Sequence, residues 1–166
     1  MTADPPTPEG VNTAVLLRRA QLRKQLACET ALAEVGMTLP QWGMLHAVAT
    51  DPDSSTHALA LSTGQSDQSA GAVVARLEQR GLLERRPGVG KAILHRITAD
   101  GAELVQHCDT IVEGVMARLL AGLTDADLRT LAAALRSIAD AALPAAPKSA
   151  GKDLSGLSGT RSATRP

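Results

Sequence analysis

The chain has 166 residues, of which 44% are hydrophobic and 20% charged, and its formal net charge is zero. It contains one Trp and no Phe or Tyr. This composition is typical of a globular protein, and the length favours one domain with tails. The near absence of aromatic rings argues against the base-stacking by which many proteins bind RNA or single-stranded DNA.

Both ends of the chain are polar and rich in residues that disfavour packing. We expect residues 1–10 to form a disordered lead-in and residues 144–166 a flexible tail, which leaves 11–143 as the folded domain. No secretory signal or apolar run of membrane-spanning length is visible, so the sequence predicts a cytoplasmic protein without a membrane partner. It also contains no complete phosphate loop, nucleophile elbow or zinc-protease motif, and we therefore predict neither an enzyme nor a cofactor.

Two helices are predicted in the first third of the chain. Apolar residues recur at helical spacing over about 11–35, and Gly36 follows as a stop. A second helix begins after Thr38, because Thr38 and Gln41 form a capping box and Pro40 falls in the first turn, where it costs no hydrogen bond.

The middle of the chain predicts two short helices followed by a hairpin. The third helix spans about 55–63 and ends at Gly64, and the fourth begins at Ser66 with apolar residues spaced i, i+3, i+4, i+7. Two short extended runs then flank the turn at Pro87 and Gly88. This segment, residues 54–98, holds six Lys or Arg and three Asp or Glu, a local charge of +3 in a neutral chain. A basic face of this kind is typical of phosphate contact, although a solvated surface would look the same.

Two further helices are predicted beyond the hairpin. One follows Thr98 over about 100–120, and the other follows Thr124, whose capping partner is Asp127. Both carry more apolar surface than one small domain can cover, which indicates that a second copy of the chain buries it.

In this order and spacing the chain resembles the MarR (multiple-antibiotic-resistance regulator) family of bacterial transcription factors. The resemblance covers about 11–142 and is carried by residues 39–42 (LPQW), 59–64 (LALSTG), 76–85 (RLEQRGLLER) and 97–101 (ITADG). It implies a mainly α fold with a small β-hairpin wing, that is, a winged helix-turn-helix with N- and C-terminal dimerisation helices. The dimerisation helices would be 11–35 and 100–142, and the DNA-binding lobe about 38–98.

The resemblance implies a homodimeric transcriptional repressor that binds double-stranded DNA at a pseudo-palindromic operator and that, in some members, a small ligand releases from it. The fourth helix would enter the major groove, where Gln68 can make a bidentate contact to adenine and Arg76 can reach phosphate. The candidate DNA contacts are Ser55, Thr56, Ser66, Gln68, Ser69, Arg76, Arg86 and Lys91. The serines and the threonine have capping as an alternative role.

The chain departs from the family pattern at two places. Gly71 and Ala72 stand where many members carry polar residues, and the wing lacks the Asp-x-Arg motif whose arginine enters the minor groove. Lys91 is the nearest substitute for that arginine. We expect Lys91→Ala to weaken binding to all duplexes and to flatten its salt dependence.

Two further kinds of site and one alternative function remain open at this point. An aliphatic ligand cleft is expected near Trp42, Leu45 and His46. Redox or zinc sensing would use Cys28, His46, His107 and Cys108, but adjacent residues of one helix point about 100° apart and rarely share a metal. A winged-helix module that binds proteins and not DNA is a further alternative.

Overall fold

The structure, a computed structural model, describes residues 8–90 and 92–141. The elements in chain order are α1 (Pro8–Ala33), α2 (Leu39–Thr50), β1 (Ser54–Ser55), α3 (Thr56–Thr63), α4 (Asp67–Gln79), β2 (Leu83–Pro87), β3 (Ile93–Ile97), α5 (Ala99–Leu119) and α6 (Asp125–Ala139). The predicted mainly α fold is confirmed. The predicted lead-in is too long, because residues 8–10 already belong to α1, and proline is favoured in a first helical turn. The rest of the lead-in, the predicted tail and Lys91 lie outside the described residues.

The helices begin where the sequence predicts caps. Oγ1 of Thr38 accepts from N of Gln41 at 3.3 Å, and N of Thr38 donates back to Oε1 of Gln41 at 3.1 Å, which completes the capping box. Ser55, Ser66 and Thr98 cap α3, α4 and α5 in the same way through their side-chain oxygens. Each oxygen satisfies one N–H that the first helical turn would otherwise leave without a partner.

The predicted hairpin is confirmed as the antiparallel pair β2–β3, and β1 adds a third antiparallel strand to it. β3 lies in the centre, between β1 and β2. Its register pairs Ser54 with His95 on one side and Leu83 with Ile97 on the other. β1 immediately precedes α3, so the sheet joins the wing to the start of the helix-turn-helix.

The core is aliphatic, as the composition requires. Its fully buried side chains come from α1, α2, α3, α4 and α5: Cys28, Leu32, Met44, Leu45, Val48, Leu59, Leu77 and Cys108. By contrast, α1 exposes its large apolar residues as far as Leu26, among them Val11, Val15 and Leu22.

The chain divides into two compact units, the first ending at Thr124 and the second beginning at Asp125. In the described part of the second unit, α6 has no buried residue and leaves Leu131, Leu135 and Ile138 exposed on one stripe. Among the described helices, none combines the length and apolar character needed to cross a lipid bilayer.

Candidate nucleic-acid interface

α3 and α4 form a compact helix-turn-helix. The turn is possible because Gly64 adopts a left-handed conformation with φ 66°, a region that side chains other than glycine rarely enter. α4 is then anchored by Ala70, Val74 and Leu77, which are all buried. Since these three residues occupy one side of α4, the opposite side is free to meet a ligand.

The exposed side of α4 carries Gln68, Ala72, Arg76 and Gln79. Their spacing of four, four and three residues places them on one stripe of the helix. Gln68 and Arg76 therefore point outward, as a groove-reading role requires. Within the described residues, no carboxylate lies within ion-pair distance of Arg76, whereas Arg85, Arg86 and Arg96 of the wing each have one.

The predicted serine contacts have structural roles. Oγ of Ser55 accepts from N of Ala58, and Oγ of Ser66 accepts from N of Ser69, each at 3.2 Å. The hydroxyl of Ser69 donates to Oε1 of Gln65 at 3.0 Å. A hydroxyl oxygen has a second lone pair, so these roles leave it able to accept from another group.

Asp67, at the first position of α4, is paired with His57 of α3. Nδ1 of His57 lies 2.9 Å from Oδ1 of Asp67, and both side chains are about two-thirds exposed. Asp67 is the one carboxylate in the first turn of α4, where a DNA phosphate would approach. The pair lessens the negative charge presented there only when His57 is protonated.

Thr56 does not point to solvent. It is half-buried, and its Oγ1 lies 2.9 Å from Nε2 of His95. Nδ1 of the same imidazole lies 3.2 Å from Oε1 of Glu78, which also accepts from Nε of Arg85 at 2.8 Å. Sequence reasoning did not single out His95, although its place two residues from both Ile93 and Ile97 puts it on the inward side of the strand.

On the wing, three exposed arginines are held by carboxylates: Arg85 by Glu78, Arg86 by Glu84 and Arg96 by Asp53. Nη2 of Arg86 lies 2.6 Å from Oε1 of Glu84. Arg96 donates to both carboxylate oxygens of Asp53, and this hydrogen bond is the main cause that lowers the pKa of Asp53. Arg86 is thus exposed, and Arg85 and Arg96 are two more exposed wing cations that the sequence did not mark as DNA contacts.

A cavity of about 660 Å³ opens between α1, α2 and the turn that joins α3 to α4. Trp42 and His46 line it as predicted, but Leu45 does not, because it is fully buried in the core. The lining is mixed and not purely aliphatic, since α1, the end of α3, the turn and the start of α4 contribute polar side chains. These are Gln21, Lys24, Gln25, Glu29, Ser62, Thr63, Gln65 and Ser69.

Two residues that line this cavity, Trp42 and His46, are hydrogen-bonded to Asp109 of α5. Nε1 of Trp42 donates to Oδ1 of Asp109 at 2.7 Å, and Nδ1 of His46 lies 3.0 Å from the same oxygen. The indole and imidazole rings are 5.6 Å apart between centroids. One carboxylate thus orients both rings that face the cavity.

The redox and zinc candidates do not form a site in the described residues. Cys28 and Cys108 are both buried, and burial raises the pKa of each thiol, which opposes the thiolate that reactive cysteines require. His107 is exposed, and His46 is held by Asp109. Nowhere in residues 8–90 and 92–141 do three His, Cys, Asp or Glu side chains come together as metal ligands would.

Known proteins are similar to this chain in both sequence and fold. A sequence profile of the MarR family matches residues 35–92. The HTH-type transcriptional repressor Rv2887 of Mycobacterium tuberculosis is 31% identical over 107 residues, which are 63% of this chain and 76% of that protein. A MarR family transcriptional regulator from Rhodococcus sp. RHA1 superposes with a TM-score of 0.74 at 22% identity, over 78% of this chain and 93% of the other.

Solved structures of Rv2887 include one complex with DNA and one with salicylic acid. The structure with DNA superposes with a TM-score of 0.63 at 26% identity, over 75% of this chain and 95% of that one. The structure with salicylic acid superposes with a TM-score of 0.61 at 28% identity, over 74% of this chain and 94% of that one.

Proposed function

This chain belongs to the MarR family of transcriptional regulators, and from that premise we propose that it binds double-stranded DNA as a homodimeric repressor. The observation that carries the proposal is the exposed stripe of α4, with Gln68 and Arg76 on the side opposite the buried anchors of the helix. The relative Rv2887, named as a repressor and solved with DNA, supports it. The proposed role is binding in the cytoplasm, without catalysis.

In the proposed complex α4 lies in the major groove. Gln68 can donate to and accept from an adenine edge, while Arg76, two turns further along the helix, can reach a phosphate. Arg85, Arg86 and Arg96 present three more exposed cations on the wing, and Lys91, which lies outside the described residues, remains a predicted contact. Ser66 and Ser69 lie at the N-terminus of α4, where backbone N–H groups favour an approaching phosphate.

The reading surface carries few base-specific groups. Ala72, between Gln68 and Arg76 on the exposed stripe, can only make an apolar contact, such as one to a thymine methyl group. We therefore expect sequence preference to depend on a small number of base contacts together with the shape of the duplex.

A second copy of the chain is the proposed cover for the apolar residues of α1. Val11, Val15 and Leu22 are each about half exposed, and Leu26 is 65% exposed. A contiguous apolar surface of this kind on a soluble protein marks an interface. Sedimentation equilibrium should give twice the mass of the chain, and Leu26→Lys should shift the protein toward monomer. A monomeric wild type at micromolar concentration would contradict the homodimer.

The polar cavity beside Trp42 is the proposed effector site. Lys24, His46 and the amides around it suit a small anion that also carries an apolar ring to meet Trp42. The complex of Rv2887 with salicylic acid supports this choice, so salicylate is the probe. Calorimetric titration should detect binding that Lys24→Ala weakens and that Arg118→Ala, on exposed α5 surface, leaves unchanged. No heat of binding at millimolar salicylate would argue against the site.

The DNA-binding proposal is tested by selection. Purified protein is incubated with random duplexes, and the retained DNA is amplified and sequenced. We expect an enriched pseudo-palindrome whose half-sites lie about one helical turn apart, with affinity that falls steeply as salt is raised. Failure to enrich any sequence, together with no salt-dependent binding to duplex DNA, would refute the proposal and favour a protein-binding module.

A further inference from the structure

A buried histidine lies at the junction of the wing and the helix-turn-helix. His95 occupies β3, the central strand, and is only 2% exposed. A buried imidazole is costly to the fold unless both of its ring nitrogens find partners. Here both do, and the two partners come from the two helices of the helix-turn-helix.

The partners determine which form of the imidazole is present. Oε1 of Glu78, at 3.2 Å from Nδ1, is a carboxylate oxygen and can only accept, so Nδ1 carries the proton. Nε2 is then free to accept from the hydroxyl of Thr56 at 2.9 Å. The neutral tautomer with hydrogen on Nδ1 satisfies every group at once.

The charges around the ring come from two elements. Glu78 of α4 favours a positive ring, but Arg85 of β2 donates to both oxygens of Glu78 at 2.8 Å and counters this effect. β1 and α3 offer the neutral side chains of Ser54 and Thr56. The one titratable residue of α2, His46, is held by Asp109. Burial outweighs the pull of Glu78 and lowers the pKa of His95, which keeps the ring neutral.

We propose that His95 is a positioning residue for DNA binding, whose neutral imidazole fastens the start of α3 and the end of α4 to the wing. This inference rests on the proposed function. α4 and the wing would approach different parts of the duplex, so the protein must hold them in one fixed geometry. Displacements of about 1 Å between the contacting groups are enough to weaken binding. Thr56 then acts through His95 and not by touching DNA.

The test uses the full chain and the duplex that the selection enriches. His95→Leu removes both hydrogen bonds while filling similar space, Thr56→Val removes one, and Thr56→Ser keeps the hydroxyl. At about pH 8 we expect Kd to rise about tenfold for His95→Leu and about fivefold for Thr56→Val, with Thr56→Ser close to wild type. Thr56→Val should add nothing in the His95→Leu background, because the link is already broken.

A pH series separates positioning from packing. The ratio of the Kd of His95→Leu to that of wild type should be largest near pH 8. It should fall toward one only when the pH drops below the pKa of His95 in the folded protein, which burial holds under 6.5, because the wild-type ring then becomes charged. The exposed histidines are present in both proteins and cancel in the ratio. Thermal melts confirm that each variant is folded. If His95→Leu is not, His95→Gln replaces it, because its amide can still meet Thr56.

The outcomes are distinct. A wild-type protein that enriches no duplex overturns the proposed function and this inference with it. Wild-type binding that His95→Leu and Thr56→Val leave unchanged overturns this inference alone. So does a Kd ratio that stays constant across the pH series, or a loss from Thr56→Val that persists in the His95→Leu background, since the latter indicates that Thr56 touches DNA directly.

Discussion

Nε1 of Trp42 donates a 2.7 Å hydrogen bond to Oδ1 of Asp109, and this contact joins α2 of the winged lobe to α5. His46 shares the same carboxylate from the next turn of α2. Both rings also line the cavity that we propose as an effector site. A ligand that displaces either ring therefore acts directly on the attachment of the winged lobe to α5, which gives the proposed effector a route to DNA binding.

Asp109→Ala should lower the free energy of unfolding by about 1 to 2 kcal/mol, because the indole N–H of Trp42 loses a charged acceptor. Asp109→Asn should cost less, since its amide oxygen can still accept. Glu113→Ala, at an exposed position of the same helix, is the control and should change stability by less than about 0.5 kcal/mol. Urea titration followed by circular dichroism measures all three. Equal values for Asp109→Ala and Glu113→Ala would show that the contact contributes nothing.

Gly101→Ala should destabilise the fold by about 3 kcal/mol, as overpacking against rigid backbone does. A Cβ at Gly101 would lie 2.2 Å from the carbonyl oxygen of Leu82 and 2.8 Å from Cγ1 of Ile97, so α5 could no longer approach the wing. Gly114→Ala is the matched control on α5, because a Cβ there meets nothing within 4 Å. It should stabilise the helix by about 0.5 to 1 kcal/mol. Equal changes in melting temperature for Gly101→Ala and Gly114→Ala would contradict the steric role of Gly101.

Much of the fold could be predicted because its signals are local. The capping box at Thr38 and the caps at Ser66 and Thr98 are short-range patterns, and the structure confirms each. β1 could not be predicted, because two serines carry no periodicity and become a strand only through pairing with β3. The family resemblance, which depends on the order of such local signals, is confirmed by the comparisons.

The candidate site was less predictable because tertiary contacts decide it. Thr56 looks like a surface residue in sequence, yet β3 brings His95 against its hydroxyl. Leu45 belongs to the same apolar stripe as Trp42, but the stripe is wide enough that one faces the core and the other the cavity. The polar lining of the cavity comes from α1 and from the segment that joins α3 to α4, which no pattern within α2 could reveal.

Arg76→Ala should weaken binding to the enriched duplex and to unrelated duplexes by similar factors. The reason is that phosphate contacts carry no sequence information, and loss of one should reduce the slope of log K against log salt by about one. Arg118→Ala removes an exposed arginine near the end of α5 and should leave the slope unchanged. Fluorescence anisotropy at four salt concentrations measures the slopes. A loss confined to the enriched duplex would instead assign Arg76 to base reading.

Asp67→Asn should tighten DNA binding about two- to fivefold at low salt, because it removes a negative charge from the first turn of α4 at roughly a Debye length or less from phosphate. Asn keeps an acceptor for His57. Asp100→Asn makes the same change in the first turn of α5, away from the helix-turn-helix, and should leave affinity unaltered. The gain should shrink as salt is raised. Weaker binding by Asp67→Asn would mean that the carboxylate itself contacts a base, for which cytosine is the expected partner.

His95 should also give the stability of the protein a dependence on pH. Its pKa in the folded state is lowered from the ordinary value of 6.5, chiefly by burial, so below that pH the unfolded chain binds the proton more readily than the folded one. The free energy of unfolding should therefore fall as the pH drops through about 6.5, by at most about 1.4 kcal/mol per pH unit, until the folded-state pKa is reached.

Urea titrations at intervals from about pH 8 to pH 5, followed by the emission of Trp42, measure this fall. His95→Gln does not titrate and should flatten the curve over this range. Asp53→Asn serves as the control, because Arg96 lowers the pKa of Asp53 from 3.8. The stability that this pair contributes is present throughout the range from pH 8 to pH 5 and is lost only at more acidic pH, so the substitution should shift the curve without changing its slope. Parallel curves for wild type and His95→Gln would mean that the imidazole gains or loses its proton equally in both states. The neutral tautomer could then not be what fastens α3 and α4 to the wing.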